Sequence, residues 1–172
     1  MSDTALGELV YGKGAHVDPV ACVEDISAEL AMRRVRGYPH SIWQIVLHMN
    51  YWMDHDLANV RGEHPRYPDH AIESWPNHSN PASPDAADEG QWQAVRQRFV
   101  ELLSRLAGLA ESDAAKLDRL VEDVGAGNTP RGATVRTRLR QIAAHNSYHI
   151  GQIALLRRLA GAWPPKRGGD TW

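Results

Sequence analysis

Nine histidines stand in this chain of 172 residues, and two of them, His145 and His149, are four residues apart in the run TVRTRLRQIAAHNSYHIGQIALLRRL. Val135, Leu139, Ile142, Ile153 and Leu156 recur through that run at helical spacing, and both histidines fall inside the same apolar stripe. On a helix they are about 40° apart around the axis and one turn apart along it, with β-carbons roughly 5–6 Å from each other. Imidazoles so placed converge on one ion. Buried side by side without an ion, they would need two separate sets of hydrogen-bond partners. A lone histidine on such a stripe is usually a core residue bonded to a carbonyl or a water; the pair shifts the balance towards ligation.

Two ligands do not hold an ion, so a third must come from another helix. The run SIWQIVLHMNYWMDHDLANV carries Ile42, Ile45, Met49, Trp52 and Leu57 on its inner face, with His48 at the edge of that face. His48, His145 and His149 are therefore the expected ligands of one divalent transition-metal ion. His55 lies one ridge further out. It is the fallback ligand or an orienting group, and the plainer reading is a solvated surface histidine. His16 and His40 precede helices and are expected to bond locally. His64, His70 and His78 sit in a long loop and are expected to be exposed, the alternative being that the loop folds over the site and supplies one of them.

Three protein ligands leave a coordination position open, the arrangement of catalytic rather than structural sites. A thiol or a water bound there loses its proton more readily. Three functions follow. The first is a metal-activated thiol transferase that takes a low-molecular-weight thiol as cosubstrate. The second is a hydrolase using hydroxide formed at the metal, with Asp54, His55 or a loop histidine as auxiliary acid or base, although the plainer reading of Asp54 and Asp56 is solvated charges on the helix face. The third is a non-catalytic metal- or ligand-binding bundle. No catalytic residue beyond the ligands is identified. Imidazole suits Zn, Ni, Cu and Fe alike. HNSYH lacks the glutamate of HExxH; haem-attachment, carboxylate di-iron, phosphate-loop and G-x-S-x-G signatures are all absent. Cys22 has no basic neighbour and reads as a buried structural thiol. Trp43, Trp52, Trp92, Tyr51 and Tyr148 either line a pocket or pack the core. Tyr148 should point sideways; Asn146 and Gln152 are candidates to orient a ligand or a water, and the plainer reading of both is ordinary helix-to-helix hydrogen bonding.

Helices must position these groups, because no convincing alternating strand appears anywhere. A first helix is expected over 19–35, capped by Asp18 and ended by Gly37-Tyr38-Pro39. A second is capped by Ser41 and stops at Gly62. The loop 62–84 is long for a compact domain and so a functional candidate. Ser83-Pro84 should start a third helix reaching about Ala110, and Ser112 a short fourth through 124. AGNTPRG reads as a turn before a last helix from Thr134 to Leu159, and 166–172 as a polar tail. Helices joined by mostly short breaks make a bundle, here a single domain over 1–172.

The formal net charge is −2, without the basic face that nucleic-acid binding needs. No run is long and apolar enough for a membrane span, and no leader pattern opens the chain. One cysteine makes no internal disulfide, which fits a reducing cytoplasm. A small-molecule substrate is the expected partner.

Together, HSIWQIVLHMNYW at 40–52 and TVRTRLRQIAAHNSYHIGQIALLRRLAGAWPP at 134–165 resemble the two signature segments of the DinB/YfiT-like superfamily. The ending GGDTW is similar to endings among its members. The resemblance implies an all-α four-helix bundle in up-down-down-up order, with an additional short helix here. It implies a metal, zinc or nickel, held at His48, His145 and His149, and a homodimer. Activities in the superfamily include bacillithiol- and mycothiol-dependent transferases, a mycothiol-dependent maleylpyruvate isomerase and metal-dependent hydrolases.

Overall fold

Ser41 and Gln44 close a capping box: the serine side chain accepts from the Gln44 N–H, and the glutamine side chain accepts from the Ser41 N–H. From this start α4 (Ile42–Arg61) runs for 20 residues to Gly62, whose left-handed φ of 81° lets its N–H return to the carbonyls of Ala58 and Asn59. The structure is a computed structural model and describes residues 4–76, 86–124 and 130–169. Its remaining elements are α1 (Thr4–Val10), α2 (Pro19–Glu24), α3 (Ala28–Met32), a 3₁₀ turn (Ala71–Ser74), α5 (Glu89–Ala110), α6 (Ala114–Asp118), β1 (Leu120–Val124), β2 (Pro130–Thr134) and α7 (Val135–Leu159).

The chain directions follow from contacts that long side chains make. Asn50 donates to the Val95 carbonyl and Arg98 pairs with Asp54, so α4 and α5 run parallel. His48 meets His145 while Asp56 approaches Arg138, so α7 runs antiparallel to α4. His16 bonds Ser147 and Asp25 bonds Arg157, so the amino-terminal arm α1–α3 runs parallel to α7. The result is a four-helix bundle in up-down-down-up order, with the segment 62–88 as the crossover that a parallel pair requires. Trp43, Trp92, Phe99, Leu102, Leu103, Met49, Met53, Ile150 and Ile153 fill its centre, each 1% exposed or less. Among the described residues no helix is long and apolar enough to cross a membrane.

The first expected helix over 19–35 is two short ones with an added helix, α1, ahead of them. Ser27 accepts from the Leu30 N–H and restarts the chain as α3, the local competition that makes serine a helix punctuator. At the break, the Ile26 carbonyl accepts from the Trp92 indole at 2.6 Å. Asp25 there takes the buried Arg157 at 2.7 Å and the Lys166 N–H at 2.9 Å. Burial opposes the charge on Asp25, yet those donors hold its carboxyl below the usual range. Cys22 is wholly buried, and burial pushes its thiol up to about 12.

Two further expectations need correction. The helix over 112–124 is only the short α6, capped by Asp113, and LVEDV becomes β1, paired antiparallel with β2 from Leu120↔Thr134 to Val124↔Pro130. Alternation over so few residues gives a weak periodic signal; Val121 is 1% exposed and Leu120 71%. The hairpin ends at Thr134, which caps α7 by accepting from the Thr137 N–H. The third helix starts at Glu89, capped by Asp88. The start expected at Ser83-Pro84 lies outside the described residues, as do 126–129 of the expected turn and the tail from 170 onward.

Candidate metal centre

The antiparallel packing of α4 on α7 brings His48 opposite His145 and His149. Ring centroids are 5.1 Å (His48–His145), 4.9 Å (His48–His149) and 4.5 Å (His145–His149) apart, and one nitrogen from each ring lies within 4.8 Å of the others. His48 and His149 are buried and His145 is half-buried. Among the described residues this is the one group of three or more histidine, cysteine or carboxylate side chains close enough to hold an ion.

Every Nδ1 in the cluster faces an acceptor. His48 Nδ1 lies 3.2 Å from the Ser74 carbonyl, His149 Nδ1 2.7 Å from Gln152 Oε1, and His145 Nδ1 3.4 Å from Asn146 Oδ1. These acceptors place the ring protons on Nδ1 and leave the Nε2 lone pairs inward. His48 Nε2 and His145 Nε2 are 3.1 Å apart, so in these tautomers two acceptors face each other with no proton between them. A cation resolves that conflict, and the donor set fits one. A proton is a poor substitute: burial lowers all three imidazoles, His48 to about 3 and His149 to about 4. Gln152 and Asn146 thus take the orienting role that the sequence offered as the less plain alternative, acting on the rings themselves. Each sits within three residues of the ring it orients, and that spacing was the available signal.

The segment after α4 folds over the cluster. It brings no histidine ligand among the described residues, but it supplies the Ser74 carbonyl and the Trp75 ring. Trp75 lies between His48, at 3.9 Å and 6°, and His40, at 3.6 Å and 8°. His40 is therefore one face of a three-ring stack and not merely a local hydrogen-bonding residue. No spacing rule marks Ser74 or Trp75, because they reach the site through the path of a loop.

A cavity of about 470 Å³ extends from the three imidazoles along the α4–α7 groove, with Trp52, Tyr67, Trp75 and Tyr148 among its walls. At its far end are His55, Asp56 and Arg138. His55 and Asp56 correct the sequence reading. Both were expected in solvent, yet they are 6% and 7% exposed. Tyr67 covers His55, with ring centroids 5.8 Å apart, and Trp52 closes on it from 5.2 Å. Asp54 pairs with Arg98 on the opposite side of α4 and does not line this cavity. Of the other histidines, His16 bonds the Val17 carbonyl at 2.8 Å and Ser147 at 2.9 Å, while His64 and His70 are exposed. His78 lies outside the described residues. Trp43 and Trp92 are core, and Tyr148, 66% exposed, does point sideways. Tyr51 lies on the far flank of α4, half-buried beside Leu47 and Asn50.

Comparison with known proteins agrees with this architecture. The sequence profile of the DinB superfamily matches residues 19–153. No curated protein matches the chain. Among solved structures, YfiT from Bacillus subtilis, described as a probable metal-dependent hydrolase with an unusual four-helix bundle topology, superposes with a TM-score of 0.52 at 15% identity, covering 92% of this chain and 85% of that one. At that identity the likeness concerns the fold.

Proposed function

The chain belongs to the DinB superfamily, and from that premise we propose that it is a metal-dependent enzyme whose ion is held by His48, His145 and His149 and which activates a thiol for transfer to an electrophile. The observation that carries the reading is the convergence of one nitrogen from each of three imidazoles, whose rings are each fixed from behind through Nδ1. Such outer acceptors orient metal-ligating histidines and raise their basicity. When bound, the ion would supply positive charge at an open position, lowering the pKa of a coordinated thiol or water. All-nitrogen ligation is compatible with zinc or nickel.

The chain's own residues do the rest. Trp52, Trp75 and Tyr67 wall the approach with rings, which limits water beside the cluster and suits a polarisable sulfur. A thiol, with an ordinary pKa near 8.5, needs only a modest shift to ionise at neutral pH, whereas water must fall from 15.7 to about 7. Among the described residues no carboxylate is grouped with the three imidazoles, and thiol activation needs none. A second reading, hydrolysis by hydroxide formed at the metal, is favoured by the solved relative's description. We also propose that two copies pair through α7, where Leu155, Leu159 and Tyr148 are exposed on one side of the helix.

Elemental mass spectrometry of untagged protein, beside His48→Ala and His149→Ala, tests the centre. One equivalent of metal is expected, lost in both variants; retention in both would overturn the ligand set. Turnover of a chromogenic electrophile with and without small thiols then separates transfer from hydrolysis.

A further inference from the structure

The three imidazoles occupy one end of the cavity, and the other end is built differently. Asp56 lies eight residues beyond His48 on α4, and Arg138 seven before His145 on α7, so this end is about 10–12 Å from the cluster. Asp56 is 7% exposed; Nη1 of its ion-pair partner Arg138 and Nδ1 of His55 both stand 3.9 Å from its Oδ1. That spacing exceeds hydrogen-bond length. His55 is 6% exposed; its Nδ1 accepts from the Asn59 amide at 3.1 Å, which puts its proton on Nε2. That buried Nε2 has no hydrogen-bond partner. A buried donor without an acceptor and a buried carboxylate at arm's length from its cation are both costly in a folded protein. A ligand that brings both charges relieves both.

We propose that this end binds the zwitterionic amino-acid head of the substrate or cosubstrate, ammonium on Asp56 and carboxylate on Arg138 and His55 Nε2–H. Charge balance selects that head. This wall presents both signs, so a bare carboxylate meets the repulsion of Asp56 and a bare amine that of Arg138, whose Nη1 also lies 3.4 Å from Gln141 Oε1. The aromatic stretch between the two ends, Trp52 and Tyr67, fits an apolar linker of about 10 Å running to the metal. This proposal takes from the preceding reading only that the reacting group sits at the imidazoles.

The test is titration of the metal-free and the metal-loaded protein with L-norleucine, hexanoate and n-pentylamine, which share a chain and differ in the head. Norleucine should bind at least tenfold more tightly than either single-charge analogue. Asp56→Asn should abolish its advantage over hexanoate, and Arg138→Gln its advantage over pentylamine. Equal binding of the three by the native protein overturns the proposal and needs no variant. Equal weakening of all three in both variants also overturns it, since that is what a purely structural ion pair gives. Cobalt-loaded protein mixed with 2-mercaptoethanol reads the other end alone through its thiolate absorption band. A head-group preference in protein that takes up no cobalt would sink the metal reading and leave this one standing, and the converse result would do the reverse.

Discussion

Replacing Gln152 by leucine removes a single acceptor and leaves all three proposed ligands in place. Gln152 Oε1 sits 2.7 Å from His149 Nδ1 and is the acceptor that fixes this ring's proton away from the ion. Without it, the tautomer with the proton on Nε2 becomes accessible, and that form cannot ligate. Loss of an outer-shell partner of this kind typically costs 10–100-fold in metal affinity, roughly 1.4–2.7 kcal/mol. The tight contact places Gln152 near the upper end of that range. Asn146, 3.4 Å from His145 Nδ1, makes a longer and weaker contact, so Asn146→Ala belongs near the lower end. Ser74→Ala should cost least of the three, because it removes the 3.3 Å hydroxyl contact with His48 Nδ1 but leaves the 3.2 Å backbone carbonyl in place. Competition against a chromophoric chelator, with zinc or cobalt, measures all three on one scale, and circular dichroism checks that each variant is folded. Affinity unchanged in Gln152→Leu, or a larger loss in Asn146→Ala than in Gln152→Leu, would refute the argument that Nδ1 acceptors set the ligand tautomers.

Acid should destabilise the metal-free protein specifically through the cluster. His48 and His149 have folded pKa values lowered from 6.5 to about 3 and about 4, so the unfolded chain binds protons first. Stability is then full above pH 6.5 and falls as the pH drops towards 4, by about 2 kcal/mol per histidine at pH 5; the urea midpoint of the metal-free protein at pH 7.5 and pH 5 reads this, and a flat profile contradicts it. Trp75→Ala removes two ring stacks and should loosen residues 62–76 by about 1–3 kcal/mol, seen as faster limited proteolysis within that segment while the helices stay protected. Cys22 should resist thiol reagents in the native state, as its wholly buried site and raised pKa of about 12 require. Accordingly, Cys22→Ala should keep any thiol-dependent turnover, and loss of turnover in a folded variant would assign it a role denied above.

The proposed ligands were legible in the sequence because helical periodicity carries angular information. The four-residue spacing of His145 and His149 fixes their relative direction on α7, and the apolar stripe around them fixes the face that points inward. The same logic reached His48 through Ile45, Met49 and Trp52. It failed for His55 and Asp56, which sit at the margin of the α4 stripe. Tyr67 covers His55 there, and Tyr67 belongs to a loop whose course has no period. The α2–α3 break was hidden for a related reason. Ser27 can stand within a helix or start one, and the choice is made by partners from elsewhere, Trp92 on α5 and Arg157 on α7. Leu120–Val124 offered a strand too short to outweigh a helical pattern.

The loop after α4 has a further consequence for how the site works. The two helices alone would place three imidazoles near one another, but they leave the His48 tautomer open, because its Nδ1 acceptor is Ser74. They also leave the groove open to water, because Tyr67 and Trp75 are the cover. One segment therefore sets both the electronic state of a ligand and the access of substrate to it. Any displacement of residues 67–75 large enough to admit a ligand from that side must also loosen the Ser74–His48 contact. Metal affinity and cavity opening are then thermodynamically linked: whatever binds under Tyr67 and preserves the cover tightens the ion, and whatever lifts the cover weakens it, each by the same factor seen from the other site. A cavity-filling amino acid such as norleucine should accordingly slow metal loss to a chelator, and the acceleration of metal loss by Trp75→Ala should blunt that protection. Metal loss at the same rate with and without norleucine bound would separate the cover from the centre and remove the link.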